Sequence, residues 1–166
     1  MKITSQEEYG LRVLLRIAKC REKEGMTIQV LSFAEGLSTP YVAKLTRMLR
    51  IAGYITSTPG NKGGYTLSRP GAQININQVL KVLGGSLFEK SFCEDYTGTL
   101  QFCTNSVDCS IRSLWQMVQI TIDQILDKIS LDDLIGSEMN ADEMINSIIE
   151  QNTKAAVAKK VVIRSG

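Results

Sequence analysis

The chain has 166 residues, of which 43% are hydrophobic and 22% charged, the balance of a globular protein and too short for two large domains. No apolar run reaches the roughly 18 to 20 residues of a membrane span, and the opening MKITSQEEYG lacks the apolar stretch of a secretory signal, so a cytoplasmic protein is expected. The formal charge of +2 hides an asymmetry: residues 1 to 69 hold 11 Lys or Arg against 5 Glu, residues 70 to 149 hold 4 against 11, and residues 150 to 166 hold 4 against 1.

Residues 6 to 20 place Leu11, Leu14, Leu15 and Ala18 on one helical stripe and Arg12, Arg16 and Lys19 on another, an amphipathic helix with a basic face. After the polar break REKEGM, a short second helix is predicted to start near Thr27 and to close at Gly36. The third lies in LSTPYVAKLTRMLRIAGY, where Thr39 can cap it and Pro40 can take the first helical position. Val42, Leu45, Leu49 and Ala52 share its buried face. The opposite face carries Thr39, Pro40, Ala43, Arg47 and Arg50, flanked by Lys44 and Thr46. YITS and YTLS then alternate like strands around TPGNKGG, whose glycines and Asn permit a hairpin.

Three helices followed by a basic hairpin predict a winged helix-turn-helix, a mainly α fold with a small β wing. A basic front suits a polyanion and an acidic middle repels one, so double-stranded DNA is the expected partner and residues 1 to 69 the DNA-binding domain. Thr39, Pro40, Tyr41, Ala43, Lys44, Arg47 and Arg50 are its expected contacts on the third helix, with Arg12, Arg16 and Lys62 on surfaces suited to phosphate.

Beyond Pro70, INQVLKVL reads as another short helix, ended by Gly84 and Gly85. Residues 86 to 110 then lose all periodicity, so that 70 to 110 form a short helix and a cysteine loop. From Ile111 onward Leu114, Trp115, Val118, Ile122, Ile125 and Ile129 follow three-four spacing, giving a long helix with a continuous apolar edge. Little chain is left to cover that edge, and a second copy of the same helix in a homodimer is the economical partner. A short capped turn and a last helix from Ala141 to Ile149 complete residues 111 to 149, and 150 to 166 read as a basic flexible tail.

Cys93, Cys103 and Cys109 fall within seventeen residues of the loop. An odd number of thiols in a reducing compartment is no disulfide framework. Zinc would want four Cys or His ligands at short spacing, and there is neither a C-x-x-C pair nor any histidine. An iron-sulfur cluster, whose usual ligands are thiolates, fits better; redox-active thiols are the alternative. Cys20, at the end of the first helix, reads as a small buried residue. Without histidine or a phosphate-binding glycine motif an enzyme is not expected, and no small-molecule substrate is. Two other readings stay open: a cluster-free regulator controlled by a protein partner or thiol oxidation, and a small iron-sulfur electron carrier.

With the opening MKIT, the helix start Ser38 to Tyr41 and the wing residues Gly63, Gly64 and Tyr65 in view, the chain resembles the Rrf2 family of bacterial regulators over residues 1 to about 135. The family includes a regulator of iron-sulfur cluster assembly and a nitric-oxide-sensing repressor. The resemblance implies a dimeric winged-helix protein that binds a partly palindromic promoter. In several members three cysteines before the dimerisation helix hold an iron-sulfur cluster, which maps onto Cys93, Cys103 and Cys109. A 2Fe-2S centre is favoured over 4Fe-4S. The repressor resembled here uses an acidic residue near the amino terminus, donated by the other subunit, as a further ligand. Glu8 stands at the matching place, with Glu7 as the fallback. Nine residues separate Cys93 from Cys103 and five separate Cys103 from Cys109, a less even spacing than the familiar members have. Pro59 and Ala43 also replace family residues on the wing and recognition helix, so a different target sequence is expected.

Overall fold

The computed structural model describes residues 3 to 59, 63 to 89, 91 to 95, 99 and 102 to 164, with the side chains from 153 onward excepted. Helix α1, Ser5–Lys19, opens on a reciprocal cap in which the Glu7 N–H donates to the Thr4 hydroxyl and the Thr4 N–H to the Glu7 carboxylate. It buries Val13, Leu14 and Ile17. Helix α2, Ile28–Glu35, is capped by Thr27 and ends at Gly36, whose φ of 64° is the left-handed geometry that glycine adopts without a Cβ clash.

Helix α3, Thr39–Ile51, starts one residue earlier than its sequence implies. Ser38 is the N-cap, Thr39 is the first helical residue and Pro40 the second, where its missing N–H still costs nothing. Val42, Leu45 and Leu49 are buried as expected. Thr46 is a correction: it lies inside rather than flanking the outer face, because its hydroxyl bonds back to the Val42 carbonyl at 3.0 Å and needs no water.

Strand β1, Ile55–Thr58, pairs antiparallel with β2, Gly64–Leu67, in the register Ile55 to Leu67 through Thr58 to Gly64. The segment read as a polar break contributes a third piece. Met26 bridges Tyr65, and the Thr58 hydroxyl donates to the Glu24 carbonyl at 2.7 Å. A Cβ on Gly64 would lie 2.3 Å from that carbonyl oxygen, so only glycine admits the approach that anchors the wing to the domain.

Helix α4, Ile76–Gly84, buries Val79 and Leu83, and Gly10 of α1 lets Leu83 come close. A helical turn α5, Phe92–Asp95, interrupts the cysteine loop before α6, Ser110–Leu126. Ile129 lies beyond α6 and not on its edge. It is buried, and its carbonyl accepts from the Ile76 N–H at 3.0 Å, while the Leu131 N–H donates to Ile74 at 2.8 Å. This short antiparallel pairing fastens the start of α4 to the end of α6. Helix α7, Glu138–Arg164, continues well past Ile149, so the stretch read as a flexible tail is helical through Arg164. Among the described residues no helix is long and apolar enough to cross a membrane.

Candidate nucleic-acid interface and cysteine segment

The cap and the buried stripe of α3 determine what is left outside. Thr39, Pro40, Lys44, Arg47 and Arg50 are exposed, and Tyr41 and Ala43 are half-buried beside them. None of the ion pairs among the described residues involves Lys44, Arg47 or Arg50. Three cations on a thirteen-residue helix are thus free to meet an external anion. Lys62, expected at the wing tip, lies outside the described residues.

Arg12 and Arg16 are half-exposed, but they are not solvated independently. Arg12 Nε reaches Glu35 Oε2 at 2.9 Å and Arg16 Nε reaches Glu35 Oε1 at 2.7 Å, while the Glu35 side chain is only 3% exposed. One buried carboxylate at the end of α2 holds two arginines of α1. Arg12 also lies over the Tyr9 ring, 5.4 Å from its centroid, and Tyr9 meets Tyr41 of α3 edge-on at 6.2 Å. The sequence reading did not single out Glu35. Its signal was there: apart from the carboxylates of the first turn of α1 and the loop at 22 to 24, it is the one acid in residues 1 to 69.

A second region lies along the stripe of Thr4, Glu7, Glu8 and Leu11 on α1. A cleft of about 600 Å³ opens between α1, α4 and α6, with Leu11, Leu80, Ile122 and Leu126 on its apolar walls and Glu7, Glu8 and Lys81 at its rim. Glu8 is exposed, whereas Glu7 is engaged in the α1 cap, which counts against Glu7 as a ligand. Beneath the rim, buried Asn77 of α4 donates to Asp123 at 3.0 Å and to Asp127 at 2.7 Å, and Lys81 pairs with Asp123 at 2.9 Å. Burial pushes the Asp123 carboxyl up, but hydrogen bonds from Lys81, Asn77 and Gln119, with the Lys81 charge, outweigh it and hold Asp123 below the ordinary value.

Cys93 sits in α5, Cys103 in the following loop, and Cys109 at the N-cap of α6, where its sulfur accepts from the Arg112 N–H at 3.4 Å. Arg112 folds the loop back by donating to the carbonyls of Asn105 and Ser106. All three thiols are free and half-buried. Among the described residues no three Cys, His, Asp or Glu side chains converge as a metal-binding group. Within one chain, then, Cys93, Cys103, Cys109 and Glu8 are not assembled into a ligand set. Cys20 is half-buried, less enclosed than expected, and its thiol lies 4.0 Å from the Glu22 carbonyl.

Comparison with known proteins gives a consistent picture. The family described as Rrf2, iron-dependent transcriptional regulator, matches residues 3–137. Protein rrf2 of Nitratidesulfovibrio vulgaris is 32% identical over 135 residues, covering 81% of this chain and 87% of that one. The transcriptional regulator IscR of Aliivibrio salmonicida is 26% identical over 172 residues, covering 99% of each. Among solved structures, CymR, the global cysteine regulator of B. subtilis, superposes with a TM-score of 0.63 at 26% identity, over 81% of this chain and 96% of that one. The winged-helix fold is shared, and IscR and CymR are named as regulators rather than enzymes.

Proposed function

Because the chain belongs to the Rrf2 family of iron-dependent transcriptional regulators, we propose that it binds duplex DNA as a homodimer, with α3 of each copy entering successive major grooves about 34 Å apart. In this reading Thr39, Pro40, Tyr41, Ala43, Lys44, Arg47 and Arg50 face the groove, and Arg12, Arg16 and Lys62 meet phosphates. The carrying observation is the outer face of α3, whose three cations form no ion pair among the described residues. Dimerisation draws support from α6, which has no buried residue and carries exposed Ile111, Leu114, Trp115, Met117 and Ile120.

The test is to select a target from random duplexes and titrate it with wild-type protein and Arg47→Ala at one salt concentration. Arg47→Ala is expected to cost roughly 1 to 3 kcal/mol on the selected site and much less on random DNA, as for a side chain that reads a base. Equal losses on both would make Arg47 a phosphate contact. No wild-type binding would remove the DNA-binding reading.

Cys93, Cys103 and Cys109 are the sensory residues in this proposal, since Cys109 is the first residue to meet α6 and a change there passes directly into the dimer helix. An iron-sulfur cluster on the three thiolates and Glu8 of the partner subunit is one form of the sensor. Reversible oxidation of the thiols themselves is the other. The family's description as iron-dependent supports the first; the likeness to CymR, named as a global cysteine regulator, supports the second. Anaerobic purification followed by visible absorption separates them, because only a cluster absorbs there. Either input is expected to change DNA affinity by roughly 1 to 3 kcal/mol, the usual scale of coupling between sites.

A further inference from the structure

We propose that Glu35 is a positioning residue for DNA binding: it pre-sets Arg12 and Arg16 as a two-pronged phosphate grip beside the start of α3. The inference rests on the DNA-binding reading. Its basis is which nitrogen each arginine uses. Both reach Glu35 through Nε, and among the described residues neither makes a hydrogen bond through its terminal Nη atoms. Each guanidinium is therefore fixed from behind, with its outer edge free. The side chains are 44% and 46% exposed while the carboxylate between them is 3% exposed. Tyr9 supports the Arg12 plane, and Tyr9 in turn abuts Tyr41 of the recognition helix. The grip is thereby connected to the α3 residues expected in the groove.

A guanidinium held through Nε still presents two Nη donors in one plane, which matches the fork geometry of phosphate oxygens. Two arginines share one carboxylate, so the group keeps a net positive charge. Ordering long side chains before contact removes a cost that binding would otherwise bear. Glu35 would then strengthen attraction to a polyanion despite carrying the same sign of charge. A role in charge balance alone predicts the reverse.

The test measures affinity for random duplex DNA over a series of salt concentrations, with thermal unfolding of every variant. Glu35→Ala makes the protein more basic, yet it is expected to bind on the order of tenfold more weakly. The double variant Arg12→Lys with Arg16→Lys keeps both charges but has neither the Nε donor that Glu35 holds nor the Nη fork, and a comparable loss is expected. Adding Glu35→Ala to that double variant is expected to change affinity less than twofold, because nothing remains to be positioned. Glu35→Ala binding as tightly as wild type, or more tightly, would overturn the proposal. So would additive losses in the triple variant, which would mark Glu35 as a purely structural contact. Absence of DNA binding by the wild-type protein would instead strike the underlying reading, and this proposal with it.

Discussion

Residues 3 to 84 close on themselves, and the region from 85 onward does not. Of the sixteen buried hydrophobic residues among the described ones, all but Ile129, Leu131 and Ile148 come from the first region. Helix α6 has seventeen residues and buries none of them, although its apolar spacing is as regular as that of α1. The same periodicity therefore has two outcomes: a stripe covered by the chain's own neighbours becomes core, and a stripe without them becomes surface. Its ties to α4 and to the segment before α4 lie toward its C-terminal end. There Asn77 and Lys81 hold Asp123, Asn77 also holds Asp127, and Ile129 pairs with Ile76. The N-terminal part of α6, nearest the cysteines, holds the loop through Arg112 and leaves Ile111, Leu114 and Trp115 exposed.

The comparison breaks first at the core. Leu45→Ala empties a fully buried position in α3, and urea unfolding is expected to show a loss of about 2 to 5 kcal/mol that does not depend on protein concentration. A loss below about 1 kcal/mol would mean that the first region is not the tightly packed unit described. Trp115→Ala addresses the other region. Its side chain is 44% exposed, so the stability of the single chain should change by only about 0.5 kcal/mol. If α6 meets a second copy, the same substitution is expected to weaken association by about 2 kcal/mol, read as a shift in the concentration at which light scattering gives half the dimer mass. An unchanged dimer would place the interface elsewhere.

The two regions also differ in how much the sequence disclosed. Caps and local periodicity are properties of adjacent residues, and they made α1, α2, the Gly36 stop and both strands of the wing legible. The third helix was legible to within one residue, with Ser38 and not Thr39 as its cap. Thr46 was misplaced because spacing alone does not say which flank of a stripe is covered; its own hydroxyl bond to Val42 made burial possible. Contacts between distant residues were invisible. The capture of Arg12 by Glu35 spans 23 positions, and the pairing of Asn77 with Asp123 spans 46. Ile129 continued the α6 spacing in the sequence, yet the helix ends at Leu126 and Ile129 pairs with Ile76 instead. The chemistry of the cysteine segment was legible as three thiols in a short stretch, but their separation within one chain depends on the path of the loop, which follows no pattern in the residues.

The smallest expected effect probes the seam between the regions. Asp123 is held below the ordinary carboxylate value of 3.8 by Lys81, Asn77 and Gln119, in spite of its partial burial. A carboxyl depressed in the folded state contributes stability that is fully present above its unfolded value. That contribution fades as the pH falls below about 3.8 and is gone once the pH is below the folded value. Lys81 and Asp123 both remain partly exposed, at 37% and 26%, so solvent screening limits the contribution to at most about 1 kcal/mol. Because other carboxylates titrate in the same range, the quantity to measure is the stability of wild type minus that of Asp123→Asn, by urea unfolding at pH 6 and at pH 3. The difference is expected to favour wild type at pH 6 and to shrink at pH 3. Amide exchange should show the loss in α6 before it reaches α3, since the partners that hold Asp123, Lys81 and Asn77 of α4 and Gln119 of α6, lie outside the recognition helix. A difference that grows on acidification would mean that Lys81 and Asn77 do not hold the ionised form, and the seam would then rest on the Asn77 to Asp127 bond and the pairing of Ile74 and Ile76 with Leu131 and Ile129.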